Sequence, residues 1–235
     1  MDVHALVVAG RGADVDLAAS SLPFMTEPDF VRTTRAAYDA VAADYAEHFP
    51  DERVGRPWDQ AVLAGFAELV GGGPVADVGS GTGRTTAYLH GLGVDVFGID
   101  LSQGMLAMAR RAYPHLRLVV GSMLALGVAD ASLRGVVAYY STIYVPDERL
   151  GEVLAEFRRV LAPGGHLVLA FQVGDEPVRI REAFGRAVEL DSHRRRPERV
   201  ASLLEQAGLA VRVQVQREAE EGERTPQAYL VARRP

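Results

Sequence analysis

Residues 75–83, Val75-Ala76-Asp77-Val78-Gly79-Ser80-Gly81-Thr82-Gly83, read as a short apolar strand that runs into a turn with glycine at every second position. The following stretch, Thr85 to Leu92, has the pattern of a helix. A strand that turns this tightly into a helix opens a βαβ unit, so a parallel strand is expected next. The sequence supplies a series of them. Val94 to Asp100, Leu116 to Gly121, Leu133 to Tyr140 and His166 to Val173 are apolar strand segments. Helices are expected over Gly104–Tyr113 and Leu150–Leu161, with only a weak helix signal before Leu133. In the second helix Val153, Leu154, Phe157, Val160 and Leu161 share one side. Apolar strands alternating with such helices predict an α/β fold, a mostly parallel sheet covered on both faces.

The flanks have other rhythms. Residues 1–28 are broken by Gly10, Gly12, Pro23 and Pro28 and read as an arm that packs on the body or stays loose. From Phe30 to Pro50, Val31, Thr34, Tyr38, Val41, Ala42 and Tyr45 recur at helical steps. A second helix spans Trp58 to Val70 and stops at Gly71-Gly72-Gly73. Glu198 to Ala207 is helical, and Ala210–Arg217 and Ala228–Arg233 form an antiparallel pair across an acidic turn. With 235 residues, one core is expected. Within that single domain, 1–57 is the arm and lid, 58–173 the cofactor-binding core, 174–196 a substrate-side insertion and 197–235 the closing helix and hairpin. Segments 30–57 and 174–196 are expected to fold over the strand ends as lid and substrate wall.

Bulk properties narrow the function. Cysteine is absent, which excludes disulfides, thiol nucleophiles and thiolate-held metals. None of the six histidines falls in a metal-binding pattern, so no metal is expected. The net charge of -6 gives no reason to expect a nucleic-acid partner. Neither a leader nor a membrane span is indicated, and a cytoplasmic protein, monomer or homodimer, is expected. The basic pairs Arg110-Arg111 and Arg158-Arg159 read as solvated helix faces, whereas Arg194-Arg195-Arg196 is assigned to a loop near the site with a substrate or cofactor role in view.

The turn's spacing selects among cofactors. Gly79, Gly81 and Gly83 allow close backbone approach to a ligand. A dinucleotide fingerprint places its third glycine at 84, where this chain has Arg84, and no Gly-Lys-Ser/Thr follows for a phosphate loop. Asp77 just before the turn can accept a donor where it would repel a pyrophosphate. Asp100, at the end of the next strand, is placed to accept from ribose hydroxyls. The site suits a nucleoside with an amino-acid-like or cationic tail. A nicotinamide-dependent oxidoreductase is the less favoured alternative.

These residues resemble the class I S-adenosylmethionine-dependent methyltransferases, closely over about residues 35–173. The resemblance implies a Rossmann-like seven-stranded sheet in the order 3-2-1-4-5-7-6, strand 7 antiparallel, with S-adenosylmethionine as methyl donor and S-adenosylhomocysteine as product. Asp77 to Gly83 would approach the methionine part, with Ser80 inside that turn. Asp100 would take the ribose, with Leu101 and Met105 beside the adenine, and Ser122 and Met123 would flank its edge. Where many relatives have aspartate, this chain has Ser122. Tyr38 and Tyr45 lie on the helix that would close over the cofactor. Tyr139, Tyr140 and Tyr144, around the end of the fourth strand, would line the passage between cofactor and acceptor, some relatives having histidine where Tyr144 stands.

The implied activity is methyl transfer to an oxygen or nitrogen of a small organic acceptor. His193 is the acid/base candidate by its place beyond the fifth strand, with a pKa near ~6.5 in its ordinary state, and Tyr140 and Tyr144 are the pocket candidates. Arg179, Arg181 and Arg186 are read either as recognising an acidic acceptor or as the polar face of a short helix. The remaining alternative is a cofactor-binding protein of this fold that transfers no methyl group or catalyses another reaction.

Overall fold

A computed structural model describes residues 27–49 and 57–235; the expected arm falls almost wholly outside them. Two helices come first, α1 (Asp29–His48) and α2 (Pro57–Val70). Then strands and helices alternate: β1 (Val75–Val78), α3 (Arg84–Gly91), β2 (Val96–Asp100), α4 (Gln103–Ala112), β3 (Arg117–Val120), β4 (Leu133–Tyr139), α5 (Asp147–Val160) and β5 (Leu161–Gln172). No helix intervenes between β3 and β4, but a single 3₁₀ turn, Thr142–Tyr144, follows β4. The chain continues through β6 (Pro177–Ala183), β7 (Arg186–His193), α6 (Pro197–Gln206), β8 (Ala210–Arg217) and β9 (Gln227–Arg233).

Seven strands form one sheet in the order β3-β2-β1-β4-β5-β9-β8. The first five are parallel, and β9 inserts antiparallel between β5 and β8. Setting β6 and β7 aside, this is the expected order, with the last strand antiparallel.

Side-chain alternation along β1 shows why both faces are covered. Ala76 and Val78 join Val136, Ala138, Leu167 and Leu169 beneath Leu150, Leu154 and Phe157 of α5. Val75, with Val137, Val168 and Val231, packs on the other face against Leu63, Phe66 and Val70 of α2 and Leu89 of α3. All four residues of β1 are buried, as a central parallel strand requires. β2 and β4 lie on opposite sides of β1, so the chain direction across the sheet switches there. That switch leaves a crevice above the carboxyl ends of β1, β2 and β4. Among the described residues no helix is long and apolar enough to cross a membrane.

Residues 174–196 depart from expectation. They form a separate two-stranded antiparallel hairpin, so Arg179, Arg181 and Arg186 lie on strands and not on a short helix. Phe184 and Gly185, both at positive φ, make its two-residue turn. Burial alternates along β7, and Val188 and Leu190 pack against Ala37 and Val41 of α1. The hairpin therefore backs the outer side of α1.

Candidate functional site

A cavity of about 280 Å³ opens at the switch point. Its floor is the β1 turn, Val78 to Thr82, with Asp100, Leu101 and Ser102 from the end of β2 and Tyr139, Tyr140 and Ser141 from the end of β4. Met105 of α4 and Gly121 and Met123 beyond β3 make one wall. Thr34, Arg35, Tyr38 and Tyr45 of α1, with Tyr144, make the cover, and Arg84 and Thr85 stand at the start of α3.

The β1 turn owes its course to glycine. Gly79 has φ +77°, and a Cβ there would lie 2.2 Å from the Ser141 Cβ. Only a residue without a side chain lets the turn approach the end of β4, where Ser141 Oγ donates to the Val78 carbonyl at 2.6 Å. The Gly81 N–H donates to Asp100 Oδ2 at 2.7 Å, and the Ser102 N–H donates to Oδ1 at 2.8 Å. The Asp100 carboxylate thus holds both lips of the crevice and keeps lone pairs for a ligand. Burial raises its pKa above the ordinary carboxylate value, with these backbone N–H groups acting against the rise.

Asp77 sits beneath the turn and outside the cavity lining. Its Oδ2 accepts from Thr86 Oγ1 of α3 at 2.6 Å. Burial, opposed by that bond, pushes its pKa to about 7. Two hydroxyls of the turn, Ser80 Oγ and Thr82 Oγ1, are buried without a hydrogen-bond partner. Ser80 Oγ faces β2, where a Cβ added at Gly98 would lie 2.7 Å from it.

α1 is docked by Asp39, whose Oδ1 accepts from Ser102 Oγ at 2.6 Å and the Gly104 N–H at 2.9 Å. Ser102 Oγ in turn accepts from the Met105 N–H, capping α4. From the adjacent position on α1, Tyr38 Oη donates to Tyr144 Oη at 2.5 Å. Burial holds Tyr38 well above its ordinary pKa and pushes Tyr144 up to about 12, so both phenols are neutral near pH 7. Tyr45 stacks edge-on to Tyr38 and accepts from Arg84 Nη2 at 3.3 Å. Beyond it, Phe49, His48 and Phe184 extend the aromatic group to the surface.

Twelve of the sixteen candidate residues meet at this cavity: Tyr38, Tyr45, Gly79, Ser80, Gly81, Asp100, Leu101, Met105, Met123, Tyr139, Tyr140 and Tyr144. Four do not line it. Asp77 lies below the turn, and Gly83 starts α3 at φ +81°. Ser122 turns its Oγ to the Leu124 N–H. His193 ends β7 opposite Pro177, and its pKa is lowered by partial burial and the neighbouring Arg195 charge. The expected location for an acid/base histidine is therefore corrected.

The basic run 194–196 lies in a loop, as expected, but its residues are not among those that line the cavity. Arg195 is buried, donating to Asp147 Oδ1 at 2.8 Å and to the Thr142 and Val145 carbonyls. It braces the 3₁₀ turn that carries Tyr144. Arg196 pairs with Asp175 at the surface.

Sequence reasoning did not single out Thr34, Arg35, Thr82, Thr85 or Ser141 as site residues, and it noted Arg84 only for the glycine it replaces. Thr34 and Arg35 were findable: they lie four and three residues before Tyr38, on the same side of a helix. Asp39 and Asp59 carry no local signal, because their partners are distant in the chain.

The sequence model of the family described as "Methyltransferase domain" matches residues 75–165. Demethylmenaquinone methyltransferase of Renibacterium salmoninarum is 35% identical over 115 residues, 49% of this chain and 47% of that protein. O-methyltransferase cnsE of Penicillium expansum is 32% identical over 145 residues, 58% of this chain and 52% of that protein. The chain spans about half the length of the curated relatives it matches. Among solved structures, 1,6-didemethyltoxoflavin-N1-methyltransferase of Burkholderia thailandensis superimposes with a TM-score of 0.68 at 20% identity, covering 96% of this chain and 98% of its own. That protein was crystallised with 1,6-didemethyltoxoflavin and S-adenosylhomocysteine. The switch-point crevice, the sheet order and these likenesses agree: this chain has the fold of the class I S-adenosylmethionine-dependent methyltransferases, and residues 75–165 are the part that matches the family model.

Proposed function

We propose that this protein transfers a methyl group from S-adenosylmethionine to an oxygen or nitrogen nucleophile of a small organic acceptor. The observation that carries the reading is the cavity between the glycine turn and the Asp100 carboxylate, with Leu101, Met105 and Met123 along its wall. A carboxylate beside an apolar wall suits the ribose and base of a nucleoside. Two of the proteins named above carry the names of small organic acceptors, demethylmenaquinone and 1,6-didemethyltoxoflavin, and a third is named an O-methyltransferase, which supports the same reading.

In this role Asp100 would hold the ribose, and Leu101, Met105 and Met123 would flank the base. Arg84 and the α1 residues Arg35 and Tyr45 would face the amino-acid end. When bound, the sulfonium supplies an already activated methyl group with a neutral leaving group. The chain has correspondingly little to add: it must orient the acceptor, exclude water and take up a proton. Tyr139, Tyr140 and Tyr144 provide neutral phenols that orient an acceptor by hydrogen bonds and ring contact. α1, docked through Asp39, closes the cavity from solvent.

Titration calorimetry with S-adenosylmethionine and S-adenosylhomocysteine tests the cofactor. Incubation with S-adenosylmethionine and a panel of phenols and nitrogen heterocycles, read by mass spectrometry, tests transfer. Binding of both ligands and a product heavier by one methyl group are expected. Absence of any binding heat would overturn the cofactor reading. Tight binding with an acceptor altered but unmethylated would overturn the transfer.

A further inference from the structure

An acceptor that enters as a neutral alcohol, phenol or amine must lose a proton, yet the described residues that line the cavity offer no obvious base. No histidine is among them, and their one carboxylate, Asp100, accepts from both lips of the crevice and would hold the ribose with its remaining lone pairs. The tyrosines are not bases either. Burial first, and the Asp59 carboxylate next, hold Tyr139 and Tyr140 far above the ordinary phenol value.

Behind those two tyrosines lies a hydrogen-bonded group. Asp59, on the first turn of α2, is 5% exposed. Its Oδ1 accepts from Tyr139 Oη at 2.6 Å and from Tyr229 Oη of β9 at 2.6 Å. Tyr140 Oη donates to Tyr229 Oη across a longer 3.4 Å. Arg217 of β8 donates from Nε to Tyr229 Oη at 3.0 Å, and its guanidinium is otherwise held by Glu223 at 2.6 and 2.7 Å. Tyr140 takes a left-handed backbone, φ +53°, at the point where β4 ends. Strain of that kind in a bulky residue persists only where surrounding contacts enforce it. Every phenol O–H in the group donates in one direction, from the cavity-lining tyrosines towards Asp59.

From this geometry we infer that Asp59 is the terminal proton acceptor of the transfer, reached from the cavity through Tyr139 directly and through Tyr140 and Tyr229. The inference rests on the methyl-transfer reading above. The acceptor's lone pair forms the bond to the methyl carbon, and the electron pair of the breaking carbon–sulfur bond stays on sulfur. The acceptor's proton passes to a phenol oxygen while that phenol gives its own proton onward. Asp59 ends protonated, and the tyrosines end as they began. Among the described residues, Tyr139, Tyr140 and Tyr229 bear on Asp59, with Arg217 and Glu223 behind Tyr229.

The test uses the full chain carrying ¹³C at the tyrosine ζ and aspartate γ carbons, saturated with S-adenosylhomocysteine, whose binding is measured calorimetrically on the same samples. The Tyr139, Tyr140 and Tyr229 resonances are expected to shift together when Asp59 is replaced in Asp59→Asn. In Tyr229→Phe, the Tyr140 response should vanish and the Tyr139 response remain. Asp59→Asn should bind S-adenosylhomocysteine within twofold of the parent and lower turnover about a hundredfold, the size expected for losing acid–base assistance, with KM little changed. Tyrosine resonances that ignore Asp59, or Asp59→Asn turning over at the parental rate, would overturn the relay. Failure of the parent chain to bind S-adenosylhomocysteine would instead overturn the cofactor reading, so the two failures are distinct.

Discussion

The floor of the cavity and its cover are built by different means. The floor is made of main chain: the Gly79–Thr82 turn and the end of β2, joined by N–H groups donating to one carboxylate. The cover is made of side chains from segments far apart in sequence. α1 is docked by Asp39 on the start of α4, by Tyr38 on Tyr144 and by Ala37 and Val41 on the β6–β7 hairpin. A backbone site demands particular residues at particular positions, whereas a side-chain cover asks only for complementary partners. The floor should therefore be intolerant of substitution and the cover graded in its response.

The sharpest way to break that contrast is Gly79→Ala. It adds a Cβ 2.2 Å from Ser141 at a left-handed position. Overpacking and backbone strain together predict a loss of about 4 kcal/mol, measured by urea denaturation, with S-adenosylhomocysteine binding lost by calorimetry. Parental stability and affinity in this variant would erase the difference between floor and cover.

Asp77 yields the next largest effect, through pH. Its folded pKa, about 7, lies above the ordinary 3.8, so the folded state holds the proton more tightly than the unfolded chain does. That contribution is fully present below the unfolded value and is lost as pH rises through about 7. The ligand-free protein should lose at most about 4 kcal/mol from this group between acid and neutral pH. Asp77→Asn keeps the Thr86 hydrogen bond and removes the titration. Urea curves at pH 5 and pH 8 should therefore differ less in the variant than in the parent. Equal pH dependence in both would show that Asp77 is not the group responsible.

Asp100→Asn keeps the shape of the crevice but weakens its charge-assisted bonds, and should cost about 2 kcal/mol of cofactor affinity, near thirtyfold in Kd by calorimetry. Leu190→Ala on the hairpin opens a gap against α1 and should cost about 2 kcal/mol of stability by denaturation, with affinity falling less than in Asp100→Asn. A larger affinity loss from Leu190→Ala would mean that the cover governs binding. Arg186→Ala, which removes an exposed pair with Asp44, should leave the denaturation midpoint where it was.

Legibility in the sequence follows the same division. The β1 turn, Asp100 and the antiparallel β8–β9 pair were readable because strand period, glycine spacing and short links are local properties. The hairpin at 174–196 was not recognised, although Val178 and Ile180, then Val188 and Leu190, alternate as strands do. Its turn is Phe184-Gly185, and a phenylalanine at positive φ is not a residue that announces a tight turn. His193 and Arg195 were placed near the site by chain position alone. Folded, the first ends β7 and is not among the residues that line the cavity, and the second is a buried brace of the turn that carries Tyr144.

The sequence by itself determined the alternation of strands and helices, the mostly parallel sheet and the backbone cradle, because hydrophobic period and glycine placement act over a few residues; the strand order followed only from the resemblance to a known family. It also determined which residue types would be available at the strand ends. Only the tertiary structure decided which side chains meet there. Asp59 meets Tyr229 across 170 residues of chain, and Tyr38 meets Tyr144 across 106. Such contacts come from packing α1 and α2 against a finished sheet, and nothing in the neighbouring sequence of either partner encodes them.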